Sequence, residues 1–258
     1  MRFASICSLS AIACLVSSAG LLAQENVSLK LDVVSVGENI EGLSVGPAGG
    51  APVSALAFRY SKPLNYAGSN ILEISQKPGS QPGPAPTAEA LAAIPPELLK
   101  RRKENPNLVA LALLPAKSKR VTVLLSAAVG GTYQATVIDD DPSKLPYGKL
   151  RIHNYSPLPV ALNCNRKPTG ELKPKSSVVV APVDKKIFYE LAYQIDGKWK
   201  VQGNNLVEVE DDEQVQFVVL KSDASFFASS DGTKAGYLQS AILRRNLKEE
   251  AATQGTNE

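Results

Sequence analysis

The chain has 258 residues, with 28 lysines and arginines against 25 aspartates and glutamates, a formal net charge of +3. So small a basic excess excludes the concentrated positive surface of a nucleic-acid protein, and no nucleic-acid partner is expected. One histidine and three cysteines exclude a histidine-rich metal site and a disulfide-stapled scaffold, and no cofactor is expected.

The chain opens on Met1-Arg2, an apolar run from Phe3 to Val16, and then Ser17-Ser18-Ala19-Gly20-Leu21-Leu22-Ala23. A short positive start, an apolar core and small residues before a polar stretch form a secretory signal peptide over residues 1–23, with cleavage after Ala23 or Gly20. Ala11-Ile12-Ala13 before Cys14 offers a lipoprotein variant, although the apolar run continues past that cysteine. The run is too short for a spanning helix, and no later segment is apolar enough to be one. An exported protein of the periplasm, cell surface or extracellular space is expected, without a transmembrane segment once the signal is cleaved. Cys7 and Cys14 lie in the leader, which leaves Cys164 without an internal partner. Its expected place is a buried strand position; a reactive thiol would use the cations Arg166 and Lys167.

Strand signals dominate the rest of the chain. In Val27 to Val36, the residues Val27, Leu29, Leu31 and Val33 share one face. Further strands are predicted at Pro52 to Tyr60, Asn70 to Ser75, Leu108 to Leu114, Arg120 to Ser126 and Thr132 to Ile138. After a break come Lys149 to Asn154, Val160 to Cys164, Ser176 to Ala181, Ile187 to Ile195, Lys198 to Val201 and Val215 to Lys221. Many short strands bounded by Gly, Pro, Asn and Asp predict an all-β, immunoglobulin-like antiparallel β-sandwich. Either two sandwiches, 24–141 and 148–245, or one continuous sandwich over 24–245 fits the pattern. Leu108 to Leu114 is apolar on both faces, which predicts a central, fully covered strand.

Residues 76–107 break the pattern as a Pro/Ala-rich, partly helical insertion. Gln76 to Pro86 reads as a loop. Thr87 to Ala93 has helical composition, and Pro95-Pro96-Glu97 starts a second helical turn running through Lys103. Lys100, Arg101, Arg102 and Lys103 end that turn and are candidate contacts to an anionic surface. Residues 237–245 fit either a strand or a helix, and 246–258 read as a disordered tail.

Asp196-Gly197 marks a hairpin. A three-residue loop that includes Ile195 sets Tyr193 against Trp199 and Leu191 against Val201, with apolar side chains on one face. The pair is expected in the core; exposed, Tyr193 and Trp199 would make an aromatic platform for a sugar ring.

Gly42-Leu43-Ser44-Val45-Gly46 matches the serine-hydrolase elbow, with Asp139 to Asp141 and His153 following in triad order. The elbow needs a strand before Ser44 and a helix after it, and Pro47-Ala48-Gly49-Gly50 predicts a turn instead. His153 shares a face with Arg151 and is expected in solvent. Asp139-Asp140-Asp141 and Asp211-Asp212-Glu213 could offer calcium oxygens but lack ligand spacing, so charged turns are expected. Phosphate-loop and dinucleotide fingerprints are missing. Asn26-Val27-Ser28 and Asn154-Tyr155-Ser156 are glycosylation sequons by pattern.

Pro146-Tyr147-Gly148-Lys149-Leu150-Arg151-Ile152-His153-Asn154-Tyr155-Ser156 carries the form P-x-G-x-L-R-x-x-N-x-S. Behind it come Val160 to Asn165, Leu172-Lys173-Pro174 and Val178-Val179-Val180. This second half resembles uncharacterised exported bacterial β-sandwich proteins. The resemblance implies a sandwich fold and an exported location; those proteins carry no assigned activity, so it implies no mechanism. The leader, the strand pattern and the missing catalytic constellation lead to the function expected, a non-enzymatic binding or structural protein of the bacterial envelope, with an envelope protein or polysaccharide as partner. A carbohydrate-binding module and a hydrolase using Ser44 are the alternatives.

Overall fold

The computed structural model describes residues 25–47, 50–79, 92, 94–141, 143–221 and 238–246. The leader, Thr87 to Leu91 and the tail beyond Asn246 lie outside them.

The described chain is mostly β-structure, arranged in several sheets around separate apolar cores. In the N-terminal half, β1 (Asn26–Val36), β2 (Ile40–Val45), β3 (Ala51–Ala57), β4 (Leu64–Ser69), β5 (Ile71–Gln76), β6 (Leu108–Leu113), β7 (Arg120–Ala128) and β8 (Thr132–Asp139) form one sheet. Its order is β6-β5-β2-β3-β1-β7-β8, with β4 paired to the start of β1. The sheet curls until β6 lies against β8. Val27, Leu29, Leu31 and Val33 of β1 face the enclosed core with Val121, Val123 and Leu125 of β7, as the alternation predicts.

In the C-terminal half, β9 (Lys149–Asn154), β12 (Ser177–Val180), β15 (Glu213–Lys221) and β16 (Leu238–Asn246) form one sheet, ordered β12-β9-β15-β16. A second sheet runs β11-β10-β13-β14, from β11 (Lys167–Leu172), β10 (Val160–Cys164), β13 (Lys186–Ile195) and β14 (Lys198–Glu208). Leu150, Ile152, Leu162, Ile187, Leu191, Val215 and Phe217 fill the space between them. Sheets of this kind are held chiefly by burial, about 1.5–3 kcal/mol for each enclosed Val, Leu, Ile or Phe.

Several expectations change. The sheets are mixed, because β1 runs parallel to β3 and β7, and β9 runs parallel to β15. β6 is terminal in its sheet's pairing order, not central; its second face is covered by α1 (Pro96–Arg102), whose Leu98 packs with Leu108 and Ile94. Pro96 opens that helix, in the first-turn position where a missing N–H is harmless. Three strands escaped the sequence reading: β2 contains Gly42, β4 is largely polar, and β11 contains Pro168 and Gly170. A proline is tolerated in β11 because the strand lies at the sheet edge. Residues 238–246 form a strand.

The β13–β14 hairpin uses a two-residue turn, not three. Ile195 pairs with Lys198, Gln194 with Trp199 and Tyr193 with Lys200, and both Asp196 (φ 50°) and Gly197 (φ 70°) are left-handed. That conformation matches the right-handed twist of a hairpin, and Asp-Gly supplies it at little cost. The apolar argument for the longer loop fails because the tip of β14 is exposed, so burial does not select its register. A bulge at Gln202 of β14, opposite Leu191 and Ala192, then shifts the phase of β14, so that Val207 comes opposite Ile187 with both buried.

Candidate functional site

The outward faces of the inner strands decide what is covered and what is free. On β1, Asp32 and Val34 point away from the N-terminal core; on β7, so do Arg120, Thr122 and Leu124. On the facing sheet of the C-terminal half, Gln216, Val218 and Leu220 of β15 and Ala241, Leu243 and Arg245 of β16 also point away from their own core. Val34, Leu124, Ile138, Val218, Leu220, Ala241 and Leu243 meet in a third apolar cluster, which joins the halves.

One side of this joint is ionic. Arg120 Nε donates to Asp32 Oδ2 at 3.0 Å. Arg245 donates from Nη2 to Asp32 Oδ2 at 3.0 Å and from Nη1 to Asp140 Oδ2 at 2.6 Å. Its guanidinium also stacks 4.1 Å from the centre of the Tyr60 ring. Thr122 Oγ1 donates to Asp140 at 3.0 Å, and Gln216 Nε2 donates to Asp140 at 2.6 Å. Burial pushes the Asp32 carboxyl above its usual range, and Arg245 and Arg120 pull against that rise without cancelling it.

His153 belongs to the same joint and is buried, contrary to its expected exposure, because the N-terminal half covers the outer face of β9. Gln216 gives its amide protons to Asp140 and Tyr60, so its Oε1 accepts from His153 Nε2 at 2.8 Å. Burial lowers the His153 pKa to about 4, against the raising effect of the Gln216 bond, and nearby Arg151 lowers it further. Well above pH 6.5 the imidazole is neutral in the folded and the unfolded chain alike, and its titration does not affect stability. Below that pH the unfolded chain takes up a proton that the folded chain refuses until about pH 4, so stability falls as the pH drops through that window. Wild-type protein is expected to lose about 2 kcal/mol more than His153→Gln between pH 7 and pH 5. Urea melts at the two pH values measure this; equal losses would place the titration elsewhere.

The P-x-G-x-L-R-x-x-N-x-S residues serve this architecture. Arg151 donates to the carbonyls of Lys144 and Asp139, holding the connection between the halves. Asn154 is buried; its Nδ2 donates to Leu158 O and Leu172 O, both at 2.8 Å, and its Oδ1 accepts from Ser156. That sequon therefore offers no free amide in the folded protein.

The other sequence candidates separate. Ser44 lies within strand β2, paired with Pro52 and Ser75, and not at a strand-to-helix crest. His153 is engaged at the joint. Cys164 is buried, and burial pushes its thiol up to about 11, away from reactivity. The three consecutive aspartates diverge. Asp140 enters the joint, Asp141 accepts from Ser143, and Asp139 takes Ser118 and Lys144. Burial raises the Asp139 carboxyl, yet those hydrogen bonds outweigh it and bring it below the usual range. At the second acidic run Lys185 meets Glu210 and Asp211, and Arg244 meets Glu213. Among the described residues, no group of three or more His, Cys, Asp or Glu is placed to hold a metal ion.

Of the basic run, Lys100 and Lys103 are exposed, and Arg102 is half-buried. Arg101 is drawn inward, bonded to Glu73 at 2.7 Å and to Glu97 at 2.9 Å. The four charges therefore do not present one cationic strip. Tyr193 and Trp199 do not face each other either. Tyr193 packs on the C-terminal core, whereas Trp199 lies on the outer face and is 44% exposed.

That outer face, of sheet β11-β10-β13-β14, is exposed among the described residues. Phe188 pairs with Leu206, Glu190 with Asn204 and Asn163, Ala192 with Val201 and Ala161, and Gln194 with Trp199. Alternation puts these residues opposite Ile187 and Leu191, which are in the core. A groove of about 520 Å3 opens between Phe188, Leu206, Asn163, Asn204, Glu190 and Arg166. The sequence reading missed it, yet Phe188 is the aromatic out of phase with Ile187, Tyr189 and Leu191, and that break in the pattern was its signal.

Among the described residues, fold and surface together define a mostly β protein with a buried ionic joint and an amphipathic exposed sheet face. No protein-family model matches the chain, and no curated protein matches it. Among the described residues, no helix is long and apolar enough to cross a membrane.

Proposed function

We propose that the protein is an exported, non-enzymatic binding component of the bacterial cell envelope, whose C-terminal half is an immunoglobulin-like sandwich, and that it recognises its partner through the outer face of sheet β11-β10-β13-β14. The observation that carries this reading is the contrast between the two outer faces of the C-terminal half. One is sealed against the N-terminal half by Val218, Leu220, Leu243 and Arg245. The other leaves Phe188, Trp199 and Val201 in water, at 59%, 44% and 65% exposure. Exposed aromatic and aliphatic side chains on a rigid sheet favour recognition, since folding gains nothing from them there. The leader pattern at residues 1–23 supports export. The strand setting of Ser44 and the engagement of His153 in the joint speak for binding over hydrolysis.

Fusing residues 1–24 to a reporter enzyme that is active only outside the cytoplasm tests the compartment. Reporter activity is expected; retention of the fusion in the cytoplasm would remove the envelope from the proposal. Photo-crosslinkers at positions 188 and 199, with position 100 as a control, test the face. Adducts to envelope material are expected from the first two positions and not from the third.

A further inference from the structure

From the groove at Phe188 we infer a binding site for a neutral saccharide chain, an inference that rests on the proposed binding role of this face. A sugar offers two surfaces, a patch of C–H groups and a rim of hydroxyls. Phe188 supplies an exposed ring for the first, paired with Leu206 on the neighbouring strand. Asn163 and Asn204 flank Glu190 on the two adjacent strands, so two amides and a carboxylate form one row across the sheet. Amides both donate and accept, which suits hydroxyls that do the same.

The charges in the groove are one carboxylate, Glu190, and one guanidinium, Arg166. That balance gives no net attraction for a polyanion or a polycation, so the ligand is uncharged. Arg166 is held in the groove by the β10–β11 turn, where Asn165 (φ 50°) and Arg166 (φ 62°) are both left-handed. Asn165 fixes the turn to β13, accepting from Phe188 N at 2.9 Å and donating to Lys186 O at 3.2 Å. The ring and the polar row are therefore set by backbone and not by mobile loops, a requirement for recognising a ligand with many equivalent hydroxyls.

The face extends beyond the groove. From Phe188 to Gln194 is six strand residues, about 20 Å at ~3.3 Å each. Trp199 stands beside Gln194 at the far end, with Ala192 and Val201 between. An aromatic at each end and amides along the way fit an extended chain better than a single sugar.

Native gels cast with soluble neutral polysaccharides, a β-glucan, a xylan and a galactomannan, test the site on the purified protein. Retarded migration is expected in at least one, with Trp199 fluorescence changing as the polysaccharide is titrated in solution. Phe188→Ala is expected to weaken the apparent affinity at least tenfold, Asn204→Ala by several-fold, and Phe188→Tyr to retain it. Phe188 and Asn204 are exposed, so these variants should keep the wild-type circular dichroism spectrum and urea midpoint. Unretarded migration in every polysaccharide, or equal retardation of wild type and Phe188→Ala, would overturn the saccharide assignment. If crosslinks at position 188 to an envelope protein persist in that case, the binding role stands and only the ligand class falls; if they vanish too, both fall.

Discussion

Arg245→Ala is expected to destabilise the protein by about 3–5 kcal/mol, because removing one partner from a buried ionic cluster strands the charges left behind. Arg245 is 4% exposed and bonds both Asp32 and Asp140, each 1% exposed. Without it, Asp32 keeps Arg120, while the side-chain donors seen on Asp140 among the described residues are the neutral Thr122 and Gln216. The Tyr60 ring loses its cation as well. The direct measure is urea unfolding at pH 7, and a loss below 1 kcal/mol would mean that water reaches the joint and solvates the carboxylates. The double variant Asp140→Asn with Arg245→Met removes one charge of each sign. It should recover part of the loss, since residues in one network couple by about 0.5–3 kcal/mol. Added salt should change the wild-type stability little, because buried pairs are screened much less than exposed ones.

The same joint explains how much of the structure could be read in advance. Alternation in Val27 to Val36 correctly assigns the core-facing set, because one face of β1 contacts its own core only. It gives no account of the second face, where Asp32 and Val34 are buried by residues more than eighty positions away. A polar residue on the corresponding face of β9, such as His153 or Arg151, looks solvated in sequence whether the opposite surface is water or another sheet. The available hint was composition: Val121 to Leu125 and Phe217 to Leu220 are nearly continuous apolar runs, which strands covered on both sides show. The hairpin at Asp196-Gly197 failed for a different reason. Hydrophobic pairing sets register only where a face is buried, and at the exposed tip of β14 the turn decides. Phe188 lies inside the predicted strand Ile187 to Ile195, and its phase along β13 is what separates it from Tyr189 and Tyr193.

Phe217→Ala is expected to cost about 3–5 kcal/mol as well, through the cavity it leaves. Phe217 lies on β15, an inner strand of its sheet, at 1% exposure, with Tyr189 of the facing sheet edge-on at 4.8 Å and 63°. Two sheets thus meet on this ring, and neither can close the gap without moving a ladder. The informative part is where the loss is felt. The next residue on β15, Val218, points the opposite way, into the joint with Leu124 and Val34. Unfolding the C-terminal half therefore strips an apolar face and the Arg245 ion pairs from the N-terminal half. Trp199 fluorescence reports the C-terminal half, and amide exchange along β7 reports the N-terminal half. If the joint makes them one cooperative unit, Phe217→Ala lowers the free energy of opening by the same amount in both. A shift in the Trp199 transition with β7 protection unchanged would show that the N-terminal half folds on its own and that the ionic joint only docks a finished domain.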